Sequence, residues 1–126
     1  MLRIAICDDQ PTQLMLICSA AKQYFAEFQK YVAEVYGFQN AMEFLDSLEQ
    51  TGGYDIAILD ICMPGINGVR VGTEIRKRKD PTEIIFLTTS NEFAVEAFAL
   101  NAVHYLVKPF TQEQFQDCLL YTSRCV

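Results

Sequence analysis

The sequence predicts an α/β fold, a doubly wound parallel sheet of five strands with helices on both faces. Apolar runs of strand length recur along the chain, segments with helical periodicity separate them, and a polar or charged residue follows most of the runs at once. Strand and helix in alternation require right-handed crossovers, which place helices on both sides of the sheet.

The first strand is Leu2–Cys7, an apolar run broken only by Arg3. Pro11 suits the first turn of a helix whose apolar face carries Leu14, Ile17, Cys18, Ala21, Phe25 and Phe28. Ala33–Phe38 reads as the second strand. Asn40 and Glu43 are spaced to cap the next helix reciprocally, and Ala41, Phe44, Leu45 and Leu48 form its buried face. Residues 56–59 and 84–87 are continuous apolar runs, suited to strands buried on both faces, and residues 68–79 form the helix between them. A fourth helix is expected over 91–100, ending at Asn101, which tolerates the left-handed conformation. Residues 103–107 make the fifth strand, more exposed because His104 interrupts it, and Thr111 with Gln114 can cap the last helix.

A chain of 126 residues, 51% of them hydrophobic, is the size of one domain with its own core. Sixteen acidic against ten basic residues give a net charge of -6, which argues against this domain gripping nucleic acid by itself. The apolar runs are short and no basic start precedes an apolar leader, so a soluble cytoplasmic protein with no membrane partner is expected. Cys7, Cys18, Cys62, Cys118 and Cys125 are odd in number and lack the paired spacings of zinc or redox motifs, so they read as reduced, mostly apolar fillers. The single His104 gives histidine metal sites and Ser-His-Asp catalysis little to build on.

In such sheets ligands bind beyond the carboxyl ends of the strands, where the strand order reverses. Asp8 and Asp9 follow the first strand, Asp60 ends the third, Thr88 ends the fourth, and Lys108-Pro109 follows the fifth. Singly each has a bland explanation. Asp8 and Asp9 suit a helix N-terminus, Asp60 a turn before Pro64-Gly65, Thr88 a β-branched strand end, and Lys108 a solvated charge. Their coincidence at one rim favours chemistry. Three carboxylates together repel one another, and a hard divalent cation such as magnesium is the natural compensation. A lysine ammonium and a threonine hydroxyl nearby would complete a cradle for phosphate oxygens.

The motifs Cys7-Asp8-Asp9, Leu59-Asp60-Ile61-Cys62-Met63-Pro64-Gly65, Phe86-Leu87-Thr88 and Tyr105-Leu106-Val107-Lys108-Pro109-Phe110, in that order, closely resemble response-regulator receiver domains. The resemblance runs from Leu2 to about Asp117 and implies a flavodoxin-like (βα)5 fold. The stretch from Thr88 to Phe110, with Asn91-Glu92-Phe93-Ala94-Val95-Glu96-Ala97-Phe98, is most similar to receivers joined to a LytTR-type DNA-binding domain.

What the resemblance implies is a two-component phosphoacceptor switch. Asp60 would take a phosphoryl group from a sensor histidine kinase and lose it by slow hydrolysis. Mg2+ would be bound directly by Asp9 and Asp60, largely through water by Asp8, and by the backbone carbonyl of Cys62, leaving its thiol incidental. Lys108, before a cis Pro109, would pair with the phosphoryl oxygens. Thr88 would be drawn to them and Tyr105 would turn into the vacated space, changing the surface of the fourth helix, fifth strand and fifth helix. Phe93 and Leu100 belong either to that surface or to the core. The output is then transcription, with a homodimer through that surface and DNA reached only through a further C-terminal domain. Thr89 departs from the small residue many receivers keep there, where it narrows access or tunes dephosphorylation.

Two other function classes compete. A magnesium-dependent phosphohydrolase with an aspartyl nucleophile would want an acid two positions after Asp60, where Cys62 stands. A phosphorylation-independent interaction domain would not need every acidic and phosphate-contact position filled. A nucleotide-binding module is disfavoured because no Gly-x-Gly-x-x-Gly turn or P-loop follows a strand. Residues 118–126 can be encoded by DNA carrying a perfect inverted repeat that resembles a transposon end joined to its own copy. The receiver is therefore expected over 1–117, with 118–126 a non-native tail. Cys118 and Leu119 continue the helical face begun at Phe115, so the tail is expected to extend the last helix.

Overall fold

The computed structural model describes residues 1–28 and 32–126. Five strands, β1 (Leu2–Cys7), β2 (Ala33–Phe38), β3 (Ile56–Asp60), β4 (Glu83–Thr88) and β5 (His104–Val107), alternate with five helices, α1 (Pro11–Glu27), α2 (Ala41–Thr51), α3 (Gly68–Lys77), α4 (Ala94–Ala99) and α5 (Gln112–Cys125). All neighbouring strands pair in parallel in the order β2-β1-β3-β4-β5. The chain steps outward from β1 to β2 and then returns across β1 to β3, so the order reverses between β1 and β3.

The side-chain period of two divides the core into two layers. Ile4, Ile6, Ile56, Ile58, Ile85 and Leu87 face α1 and α5, meeting Leu14, Ile17, Ala21, Phe25, Phe115 and Leu119. Ala5, Cys7, Ala57, Leu59, Ile84 and Phe86 face the other way, against Phe44 and Leu48 of α2, Val71 and Ile75 of α3, and Ala97 of α4. Large side chains such as Phe44, Ile58 and Phe86 are wholly buried, each contributing about 1.5–3 kcal/mol from removal of apolar surface from water.

Several expected local signals are present. Pro11 opens α1, Asn101 takes a left-handed φ of 55° after α4, and Thr111 with Gln114 closes a full capping box on α5. The box at α2 is only half formed, because Asn40 accepts from the Glu43 N–H at 2.8 Å without the return bond. Two helices are shorter than expected. α3 ends at Lys77 because Lys79 turns left-handed at φ 56°, and α4 begins at Ala94, after a turn closed by the Ala94 N–H donating to the Asn91 carbonyl. Strand β5 starts one residue later than expected, at His104. The His104 ring meets Tyr121 edge-on, its Nε2 is buried without a partner among the described residues, and burial lowers its pKa. The segment from Cys118 onward does continue α5, burying Cys118, Leu119, Thr122 and Ser123.

One charged residue acts as a bracket under α3. Arg76 donates from Nε to the Leu100 carbonyl and from Nη1 to the Asp80 and Thr82 carbonyls, each at 2.8 Å. It joins the ends of α3 and α4 to the entry of β4. Arg76→Ala is expected to cost about 2 kcal/mol, in the range for hydrogen bonds from a charged donor, measured by urea unfolding. Arg76→Lys should recover only part, since one ammonium cannot reproduce the planar fork.

Candidate functional site

The carboxyl ends of β1, β3, β4 and β5 bring Asp8, Asp9, Asp60, Thr88 and Lys108 to one rim beside the reversal of strand order. Asp8, Asp9 and Asp60 each offer one oxygen, and these atoms lie within 4.8 Å of one another. Lys108 follows β5 at the edge of the sheet. Its Nζ is 3.2 Å from Asp8 Oδ2 and 3.6 Å from Asp60 Oδ1, and the ammonium is itself largely covered. Asp8 is fully buried and also accepts from the Gln10 N–H at 2.9 Å, a turn that launches α1. One cation against three carboxylates leaves the rim negative.

The backbone fixes Asp60 on both sides. The Ile61 N–H donates to the Leu87 carbonyl at 3.0 Å, while the Met63 and Gly68 N–H groups return to the Ile61 carbonyl at 2.9 and 3.0 Å. This closed loop presses the start of α3 against β3, and only glycine fits at 68. A Cβ there would stand 2.3 Å from the Asp60 carbonyl oxygen.

Asp60 is 5% exposed. Burial pushes its carboxyl up to about 6; Lys108 pulls the other way, Asp8 and Asp9 add repulsion, and the Cys62 N–H directed to the carboxylate partly offsets them. Cys7, just beneath, is pushed up to about 12 by burial and by the same acids, so its thiol stays protonated. The carboxyl ends open into a groove of about 680 Å³ between α1 and α5, lined in part by Gln13, Leu16, Phe110 and Phe115 together with Asp9, Asp60 and Lys108.

Thr88 is buried at the end of β4, and its Oγ1 accepts from the Ser90 N–H at 3.2 Å. Tyr105 is half-buried, packs on the α3–α4 layer and donates its hydroxyl to the Ser90 carbonyl. The Lys108–Pro109 peptide is cis, as expected. Cys62 is exposed, and its Sγ touches Thr88 Oγ1 at 3.4 Å and Thr89 Oγ1 at 4.0 Å. The thiol that the sequence reads as incidental thus contacts both threonines. All five cysteines are free; Cys7 and Cys118 are buried, Cys18 is half-buried, and Cys62 and Cys125 are exposed, so the filler role expected of most of them falls to the first three.

Phe93 and Leu100 pack against the core. The large apolar side chains of α4 that stand free are Val95, 77% exposed, and Phe98, 84% exposed. The sequence reading passed over these two and Arg76. Spacing i, i+3 puts Val95 and Phe98 on one face, which is the signal that could have found them.

A family model described as response regulator receiver domain matches residues 4–119. The positive alginate biosynthesis regulatory protein of Pseudomonas aeruginosa is 42% identical over 86 residues, 68% of this chain and 33% of that protein. The transcriptional regulatory protein LytR of Staphylococcus aureus is 38% identical over 86 residues, 68% of this chain and 35% of that protein. The chain thus spans about a third of the length of these curated relatives. Among solved structures, the response regulatory domain of protein mrkE from Klebsiella pneumoniae superposes with a TM-score of 0.87 at 24% identity, covering 98% of this chain and 97% of that one.

Proposed function

The chain belongs to the response regulator receiver domain family, and from that premise we propose that Asp60 is its phosphoryl acceptor. A receiver domain is a signalling module of two-component regulators and not a classical enzyme. The observation that carries the residue assignment is the buried Asp60 carboxylate with two further acids in reach and Lys108 in contact.

In this reading an Asp60 oxygen attacks the phosphorus of a phosphohistidine on a sensor histidine kinase. The P–O bond forms as the P–N bond breaks, and the electron pair returns to the leaving imidazole. The oxygen donors of Asp8, Asp9 and Asp60 fit Mg2+, a hard cation, and the Cys62 carbonyl would join them. When bound, the ion supplies charge neutralisation between the carboxylates and the incoming phosphoryl group. Lys108, held by Asp8 and Asp60 beforehand, moves to the phosphoryl oxygens. Thr88 turns its hydroxyl toward them, and Tyr105 follows, altering the surface of α4, β5 and α5. Slow hydrolysis resets the switch.

The exposed Val95 and Phe98 support a homodimer through that surface. The relatives' names support control of transcription, with DNA bound by a LytTR-type domain outside residues 1–117. In this reading residues 118–126 are foreign sequence. No helix among the described residues is long and apolar enough to cross a membrane, which suits a cytoplasmic setting.

Acetyl phosphate with Mg2+ tests the assignment. One hydroxylamine-labile phosphoryl group on the peptide containing Asp60 is expected, and its absence, or its location elsewhere, overturns the reading. Rapid multiple turnover of phosphomonoesters would instead favour the phosphohydrolase.

A pH dependence follows from Asp60. Its carboxyl titrates near 6 in the metal-free protein, so below that pH a cation must displace a proton. Apparent Mg2+ affinity should fall roughly tenfold per pH unit below about 6 and level off above it. Calorimetric titration between pH 5 and 8 measures this.

A further inference from the structure

Cys62 stands two residues after Asp60 and reaches across to β4, where its Sγ lies 3.4 Å from Thr88 Oγ1. Either the thiol or the hydroxyl can donate in that contact. Thr88 Oγ1 already accepts from the Ser90 N–H at 3.2 Å, and the Tyr105 hydroxyl is spent on the Ser90 carbonyl. The Thr88 hydroxyl has its own hydrogen to give, and the Cys62 sulfur stands where it can accept, in competition with the Tyr105 hydroxyl oxygen. A hydroxyl is the stronger donor of the two and sulfur a weak but adequate acceptor.

We propose that Cys62 is a positioning residue whose thiol holds the Thr88 hydroxyl away from Asp60, so that the phosphorylated state forms only by breaking the S···H–O contact. The inference rests on Asp60 as acceptor and deepens that reading. The same hydrogen cannot serve the sulfur and a phosphoryl oxygen at once. Cys62 thereby sets how strongly the resting arrangement resists the phosphorylated one. The neighbouring Thr89 hydroxyl, 4.0 Å from the same sulfur, lies too far to replace Thr88 as the donor of a strong bond.

Beryllofluoride with Mg2+ is the probe, its binding followed by amide NMR signals of the full chain. Cys62→Ala should lower the half-saturating beryllofluoride concentration about three- to tenfold, the worth of one net hydrogen bond. Cys62→Ser, which keeps an acceptor, should return it to within about twofold of the original on the same scale. In a Thr88→Val background, which keeps the shape and removes the hydroxyl, Cys62→Ala should have no effect. That cycle separates a partner of Thr88 from a residue that only fills space or shields the site. An unchanged Cys62→Ala, or an equal shift in the Thr88→Val background, overturns the proposal alone. Failure of the unaltered protein to bind beryllofluoride overturns the Asp60 reading and this proposal with it.

Discussion

Asp60→Asn is expected to abolish phosphoryl incorporation, to below about 1% of the original, and at the same time to make the metal-free protein more stable at pH 7. An amide nitrogen or oxygen is too weak a nucleophile to replace the carboxylate. The stability gain comes from charge. Burial and two neighbouring acids lift the Asp60 carboxyl from 3.8 to about 6, more than Lys108 can offset. A folded-state value raised above the unfolded one means a contribution present below the unfolded value and lost as pH rises through the folded value. At pH 7 that loss is complete, and two units correspond to about 3 kcal/mol at most. Removing the charge should therefore stabilise by about 1–3 kcal/mol, seen as a melting temperature raised by several degrees. The gain should vanish near pH 4, where Asp60 is itself protonated. A gain that persists there would mean that the effect is not electrostatic, and a loss at pH 7 would mean that Lys108 outweighs the burial.

Gly68→Ala should be as large in the opposite direction. Helix propensity alone favours alanine by about 1 kcal/mol, and position 68 opens α3. The packing forbids it. The added Cβ would meet the Asp60 carbonyl oxygen at 2.3 Å, the Asp60 carbonyl carbon at 2.9 Å and Ile61 Cα at 2.9 Å, all backbone atoms with no rotamer to yield. A loss of about 3 kcal/mol is expected, together with slower acetyl phosphate labelling, because the atom displaced belongs to the proposed acceptor residue. Gly65→Ala is the control. Its φ of 78° strains alanine, but nothing stands within 4 Å, so about 1–2 kcal/mol should be lost with labelling little changed. Chemical unfolding and labelling rates of the two variants, measured together, distinguish strain from displacement.

The rim was legible because each polar member interrupts the pattern at a strand end. Asp8 after Cys7, Asp60 after Leu59, Thr88 after Leu87 and Lys108 after Val107 all stand where a largely apolar run stops. A period of two or a continuous apolar run is a strong local signal, and the order of strands then carries the residues to one edge. The α4 region was harder. Its residues are apolar almost all round, from Ala94 and Val95 to Ala97 and Phe98, and six residues give too few turns for a phase to emerge. Burial of Ala97 turned Val95 and Phe98 outward, while Phe93 and Leu100 went to the core. Arg76 and the Cys62 sulfur were missed for another reason. Arg76 reaches the Leu100 carbonyl 24 residues on as well as nearer carbonyls, and Cys62 reaches Thr88 26 residues on; a lone arginine on a helix or a cysteine in a loop has no local pattern to mark such a reach.

Lys108 and Asp8 are separated by 100 positions and meet at 3.2 Å. The acids of the rim are in place once β1 and β3 have paired, but their one contacting lysine arrives only with β5 at the sheet's edge. Charge balance at the rim therefore reports completion of the domain. A chain folded only through β4 would carry the full mutual repulsion of its carboxylates, and closing the edge would relieve it. Docking of the last strand and charge compensation at the proposed acceptor are thus one event.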